Sequence, residues 1–141
     1  MSELKTVWIT EGIKPDTIKW AEEFAKKLII KKHDKLDKDL SLSTSQLRKF
    51  FGEIKRIQGM GYENLDSKED ILMLKPKLAY AKGRAKKENK ITEFYSEMSK
   101  GLDAIDYSDD TKGKKHFQNF TKIFEAVVAY HKAYIKEAGG E

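Results

Sequence analysis

The chain has 141 residues, which suits one domain with a modest core, and it contains no cysteine. Disulfides, thiolate zinc sites and cysteine nucleophiles are thereby excluded, and a reducing, cytoplasmic setting is permitted. Charged residues make up 36% of the chain, and Lys plus Arg exceed Asp plus Glu by 28 to 23. The formal net charge of +5 favours polyanionic partners without establishing them.

Met1 to Thr10 lacks a basic start followed by an apolar run, so it does not read as a secretory signal. Apolar runs such as Ala126-Val127-Val128-Ala129 are far too short for a transmembrane helix, and a soluble protein with no membrane partner is expected.

In chain order, Thr6 to Thr10 holds the one hint of a strand. Pro15 then opens a first helix to about Lys32, with Ile18, Ala21, Ala25, Leu28 and Ile29 at helical spacing. A second helix is expected from Thr44 to Gln58. Ser43 and Gln46 form a capping-box pattern before it, and Leu47, Phe50, Phe51, Ile54 and Ile57 line one face. Gly59 and Gly61 close it. The third helical region, Asp66 to Lys87, should kink at Lys75, because residues before proline avoid the α region. A fourth helix, Ile91 to Ile105, carries Ile91, Phe94, Tyr95, Met98, Leu102 and Ile105 on one side. The fifth starts near Ser108 or Asp109, with Gly113 expected to delay regular helix, and runs to Glu137. Its apolar face holds Phe117, Phe120, Phe124, Val127, Val128, His131 and Ile135. The pattern describes an all-α, single-domain bundle of about five helices over residues 1–141. The connections Asp34–Leu42 and Gly59–Asp66 are its expected mobile parts. Trp8, Trp20 and Tyr134 are expected at the surface.

Catalysis needs converging groups with tuned protonation. His33, His116 and His131 are scattered, and no pair has metal-ligand spacing. His131 falls on an apolar face and reads as a core histidine. Adjacent acids such as Asp109-Asp110 diverge around a helix, and these two suit the helix N-terminus better than a two-carboxylate site. No phosphate-binding glycine loop is present. No catalytic residue, metal site or cofactor is expected.

The basic residues are more informative. Between Ile71 and Lys90 stand Lys75, Lys77, Lys82, Arg84, Lys86, Lys87 and Lys90, opposed by Glu88 alone. Lys77, Tyr80, Arg84 and Lys87 are three and four apart and share a helix face. Cations with an interleaved aromatic suit a phosphate backbone carrying a stacked base or sugar. A second stripe on the preceding helix holds Arg48, Lys55 and Arg56, flanked by Lys49 and broken by Gly52. Solvated basic faces are also common. Gly52 has two readings, close approach of a ligand or relief of crowding beside Phe51. Arg84 likewise suits either a phosphate or a buried partner such as Glu125.

Three segments carry a family resemblance. Leu42-Ser43-Thr44-Ser45-Gln46-Leu47-Arg48 with Phe51 and Ile54 resembles the first helix signature of the small, Csm-type subunit of the type III-A CRISPR-Cas effector complex. Leu74-Lys75-Pro76-Lys77-Leu78-Ala79-Tyr80-Ala81-Lys82-Gly83-Arg84 resembles its central motif. Phe117, Phe120 and Phe124-Glu125-Ala126-Val127-Val128-Ala129-Tyr130 resemble its C-terminal helix. The three lie in order across residues 42–132, and the segment before residue 42 matches less well. The resemblance implies a non-catalytic subunit in antiviral defence that binds guide RNA and target RNA. It also implies partners in other copies of itself and in the backbone and large subunits. Arg48, Tyr80, Gly83 and Arg84 fall on motif positions. Lys49, Lys55, Arg56, Lys75, Lys77, Lys82 and Lys87 join the RNA-binding set from the stripes alone. The competing class is a protein-only module whose basic faces bind acidic protein partners.

Overall fold

The structure is a computed structural model that describes residues 3–140; Met1, Ser2 and Glu141 lie outside the described residues. Six helices and one minimal hairpin follow in order: α1 (Val7–Thr10), α2 (Pro15–Lys27), β1 (Lys31–Lys32), β2 (Lys35–Leu36), α3 (Thr44–Met60), α4 (Leu65–Arg84), α5 (Ile91–Asp103) and α6 (Asp110–Glu137). The all-α bundle is as expected, with one short helix more and a hairpin added.

The 28-residue α6 is the central element. Its buried face presents Phe117, Phe120, Ile123, Phe124 and Val127, and α1, α2, α3 and α5 pack on it. Phe124 meets Phe94 edge-on at 5.5 Å and lies parallel to Phe51 at 6.1 Å, which ties α5 and α3 to α6. By contrast, α4 lies outside this layer, on α3 and α5. Its sequence explains that place: Ile71, Leu74 and Leu78 are buried on one side, but Leu65, Leu72, Met73 and Tyr80 are exposed on the other.

Local chemistry sets the helix ends. Ser43 Oγ accepts from the Gln46 N–H at 3.1 Å, and Gln46 Oε1 accepts from the Ser43 N–H at 2.9 Å, completing the expected capping box. Asp109 caps α6 by accepting from the Lys112 N–H at 3.0 Å. Pro76 does not divide α4. It sits on the solvent side, where water can satisfy the Leu72 carbonyl that loses its helical donor. Nor does Gly113 delay α6. A Cβ there would stand 2.2 Å from Tyr62 Oη and 2.6 Å from the Asp106 carbonyl oxygen, so the glycine serves close packing within regular helix.

Other expectations need correction. Thr6–Thr10 forms a helical turn instead of a strand, because both Trp8 and Ile9 are buried, and the Ile9 carbonyl accepts from Asn119 of α6. On α2 the buried face is Thr17, Trp20, Ala21, Phe24, Ala25; Ile18 is 40% exposed. Trp8 and Trp20 are core residues packed at 5.7 Å, not surface aromatics. The first helix ends at Lys27, and the chain turns into a hairpin through His33 and Asp34, both at positive φ as a type I′ turn requires. The segment to Leu42 is tethered rather than loose: Asn89 Nδ2 donates to the Asp39 and Ser41 carbonyls, and the Leu42 N–H donates to Leu28.

His131 is buried, and its Nε2–H donates to the Leu42 carbonyl at 2.8 Å. Burial lowers its pKa from the ordinary 6.5, so the folded ring stays neutral where the unfolded chain takes up a proton. Stability is then complete above that ordinary value and falls as the pH drops below it. Thermal melts between about pH 7 and about pH 5 should show a falling midpoint, flattened in His131→Gln.

Candidate nucleic-acid interface

Between α3 and α4 lies one groove of about 730 Å³, which takes in Lys77, Tyr80 and Arg84 of the α4 stripe but, from α3, only the flanking Lys49; Arg48, Lys55 and Arg56 do not line it. Gln46, Lys49, Phe50 and Glu53 line it from α3, and Met73, Pro76, Lys77, Tyr80 and Arg84 from α4. Its wall is apolar and its rim carries the cations.

The candidate cations divide by their existing partners. Arg56 holds Glu53 at 2.6 Å and Asp70 at 3.0 Å. Lys77 reaches Glu53 at 3.1 Å, and Lys75 reaches Asp103 at 3.0 Å. Lys82 Nζ stands 4.9 Å from the centre of the Tyr95 ring, and Lys55 Nζ 5.9 Å from that of Phe51. Arg48, Lys49 and Lys87 are exposed and have no ion pair among the described residues. Arg84 is exposed too, its guanidinium 5.7 Å from the Tyr80 ring centre, while Tyr80 itself is 68% exposed. Arg84 makes no ion pair with Glu125, because α4 packs on α3 and α5 and not along α6. The buried-pair reading of Arg84 is thereby overturned.

Glu53 is the acid within the groove. The hydrogen bond from Arg56, helped by Lys77, pulls its pKa down to about 2. Its carboxylate therefore contributes stability above the ordinary 4.5, lost as the pH falls through about 2. Glu53→Gln should cost at most about 1 kcal/mol in denaturant melts, since the pairs are partly solvated. The same change releases Lys77, while Arg56 keeps Asp70, so it should tighten RNA binding and steepen its salt dependence in filter titrations.

Gly52 lies on the open side of α3 between Arg48 and Lys55, and a Cβ added there would meet nothing within 4 Å. Crowding beside Phe51 does not account for it. Asp109 caps α6, as its place at the helix N-terminus suggests, and no group of three His, Asp or Glu residues suited to a metal ion occurs among the described residues.

Across residues 16–137 the chain matches the family model described as Csm2 Type III-A. The chain belongs to the Csm2 type III-A family. It is accordingly a small subunit of a type III-A CRISPR complex, and so part of a multi-subunit assembly. The Csm2 match begins before the three motifs do and takes in α2 and the hairpin. No curated protein and no solved structure matches the chain. No helix among the described residues is long and apolar enough to cross a membrane.

Sequence reasoning passes over two features of this Csm2 chain. One is Glu53, which neutralises two of the candidate cations across the helix pair. The other is the hairpin, where Lys31, Lys32 and Lys35 surround the His33-Asp34 turn, all exposed. Two residues tolerant of left-handed backbone between lysines are the signal that could have found it.

Proposed function

We propose that the chain is a non-catalytic RNA-binding subunit that holds the backbone of guide and target RNA at the α3–α4 groove. The observation that carries this reading is the grouping of Lys49, Tyr80 and Arg84 around one groove, with Arg48 outside it on the exposed face of α3, none of them committed to an ion pair among the described residues. Unpaired cations lose no protein partner on meeting phosphate, and an exposed tyrosine offers a stacking surface to a base or sugar. Arg56, Lys75, Lys77 and Lys82 add positive field from their present positions, and Lys55 and Lys87 extend the two ends. Contacts go to phosphate and sugar, since guide pairing supplies the sequence specificity.

In this reading, other copies of the chain, the backbone subunits and the large subunit are its protein partners, and the work is antiviral defence in the cytoplasm. Each copy binds weakly, and repetition along the complex adds avidity. Filter binding of the purified chain and of the assembled complex to unrelated single-stranded RNA at low and moderate salt tests the proposal. Binding that weakens steeply with salt is expected. No binding in either form at either salt would leave the basic faces to acidic protein partners.

A further inference from the structure

Four of the six large apolar or aromatic side chains exposed among the described residues stand on α4: Leu65 at 70%, Leu72 at 54%, Met73 at 49% and Tyr80 at 68%. Helical periodicity puts Leu65, Leu72, Pro76, Ala79 and Gly83 on one outward strip, bordered by Met73 and Tyr80. Scattered exposed leucines need no explanation, but a contiguous apolar strip marks a contact surface. The small residues at its C-terminal end leave room for close approach, and a Cβ at Gly83 would meet nothing within 4 Å.

Charge along the strip is divided. Asp66 and Glu69 stand near its N-terminal end, exposed and without ion pairs among the described residues. Arg84 and Lys87 stand at or just beyond its C-terminal end, equally unpaired. An RNA strand laid along the whole strip would meet the acids. A second α4 in reverse would instead set acid against base at both ends, with apolar residues meeting between.

We propose that this face is where two copies of the chain meet, α4 against α4, antiparallel about a two-fold axis near Pro76 and Lys77. Glu69 of each copy then faces Arg84 of the other, Asp66 faces Lys87, and Met73 faces Tyr80. The contact is isologous, so each charge pair occurs twice. This contact is separate from the repetition of copies along the complex, since an isologous pair closes on itself. Tyr80 and Arg84 border both this face and the groove, so the pair is a state of the RNA-free chain. A 20-residue helix is about 30 Å long, and one helix pair buries less than the ~800 Å² per partner of a stable interface. The dimer is therefore weak and concentration-dependent.

The absence of cysteine allows a direct test. Pro76→Cys places its two thiols near the axis, within disulfide reach, whereas the two thiols of Leu65→Cys lie about 35 Å apart. Mild oxidation of the full chain without RNA should give a covalent dimer with Pro76→Cys and none with Leu65→Cys. Any other pattern overturns the antiparallel pair. In sedimentation equilibrium, Glu69→Lys and Arg84→Glu should each weaken association about tenfold, and the double variant should recover it. A double variant as weak as the poorer single overturns the pairing. If these tests fail while native mass spectrometry finds several copies per assembled complex, the copies associate through another face, and α4 is excluded.

Discussion

Replacing Arg48 and Arg84 together by alanine is expected to weaken target-RNA binding by the assembled complex about tenfold or more, on the order of 1 kcal/mol for each solvent-exposed phosphate contact. The effect is modest because both side chains are exposed and water screens what they hold. A more telling readout is salt. Each lost phosphate contact should lower the slope of log affinity against log salt by about one, so the double variant should lose about two per copy engaged. The fold should be untouched, since Arg48 makes no ion pair among the described residues and Arg84 only rests near Tyr80. Parallel melts of the isolated chain check this. Unchanged affinity with an unchanged slope would remove both arginines from the RNA contact.

Gly113→Ala is expected to destabilise the isolated chain by about 2–3 kcal/mol, the upper range for overpacking a tight site. The added methyl group would collide with Tyr62 Oη at 2.2 Å and with the Asp106 carbonyl at 2.6 Å. The tyrosine is buried and the carbonyl belongs to the backbone, so neither moves freely. Tyr62→Phe alone should be neutral or slightly stabilising, because the buried Tyr62 hydroxyl has no hydrogen-bond partner. In the Tyr62→Phe background Gly113→Ala should cost less, but the carbonyl contact remains and rescue should be partial. A double-mutant cycle in urea separates the two collisions. Equal costs in both backgrounds would mean that the hydroxyl is not the obstacle.

Much of this architecture can be read from local pattern. The Ser43–Gln46 capping box spans four residues and depends on little else, so it appears as expected. The apolar stripes of α3, α5 and α6 are similarly self-contained. The errors arise where distant contacts decide. Val7, Ile9 and Thr10 favour a strand by side-chain shape, but burial of Trp8 and Ile9 and the bond from Asn119 favour a helical turn. Ile18 faces inward by spacing alone, yet Trp20 and Phe24 stack at 4.8 Å and take that face. Gly113 reads as a helix breaker because its neighbour, Tyr62, is 51 residues away in sequence.

The candidate site shows the same division. Spacing places Lys77, Tyr80 and Arg84 on one side of α4 and identifies the basic residues of α3. It does not show that α4 lies beside α3, which sets Lys49 across one groove from Lys77, Tyr80 and Arg84 and leaves Arg48 and Lys55 outside it. Nor does it show which cations are engaged, because Glu53 and Asp70 reach their partners by side-chain packing between helices. The exposed row on α4 is hidden by a mixed pattern, with apolar residues on both of its faces.

The most direct measurement is ultraviolet cross-linking of target RNA to the assembled complex, followed by mass spectrometry of this subunit's peptides. Cross-links should fall on Tyr80 and on the α3 segment bearing Arg48 and Lys49, and should fade in Arg48→Ala/Arg84→Ala. Cross-links confined to other elements, with α3 and α4 unmarked, would contradict the groove as the RNA-binding site.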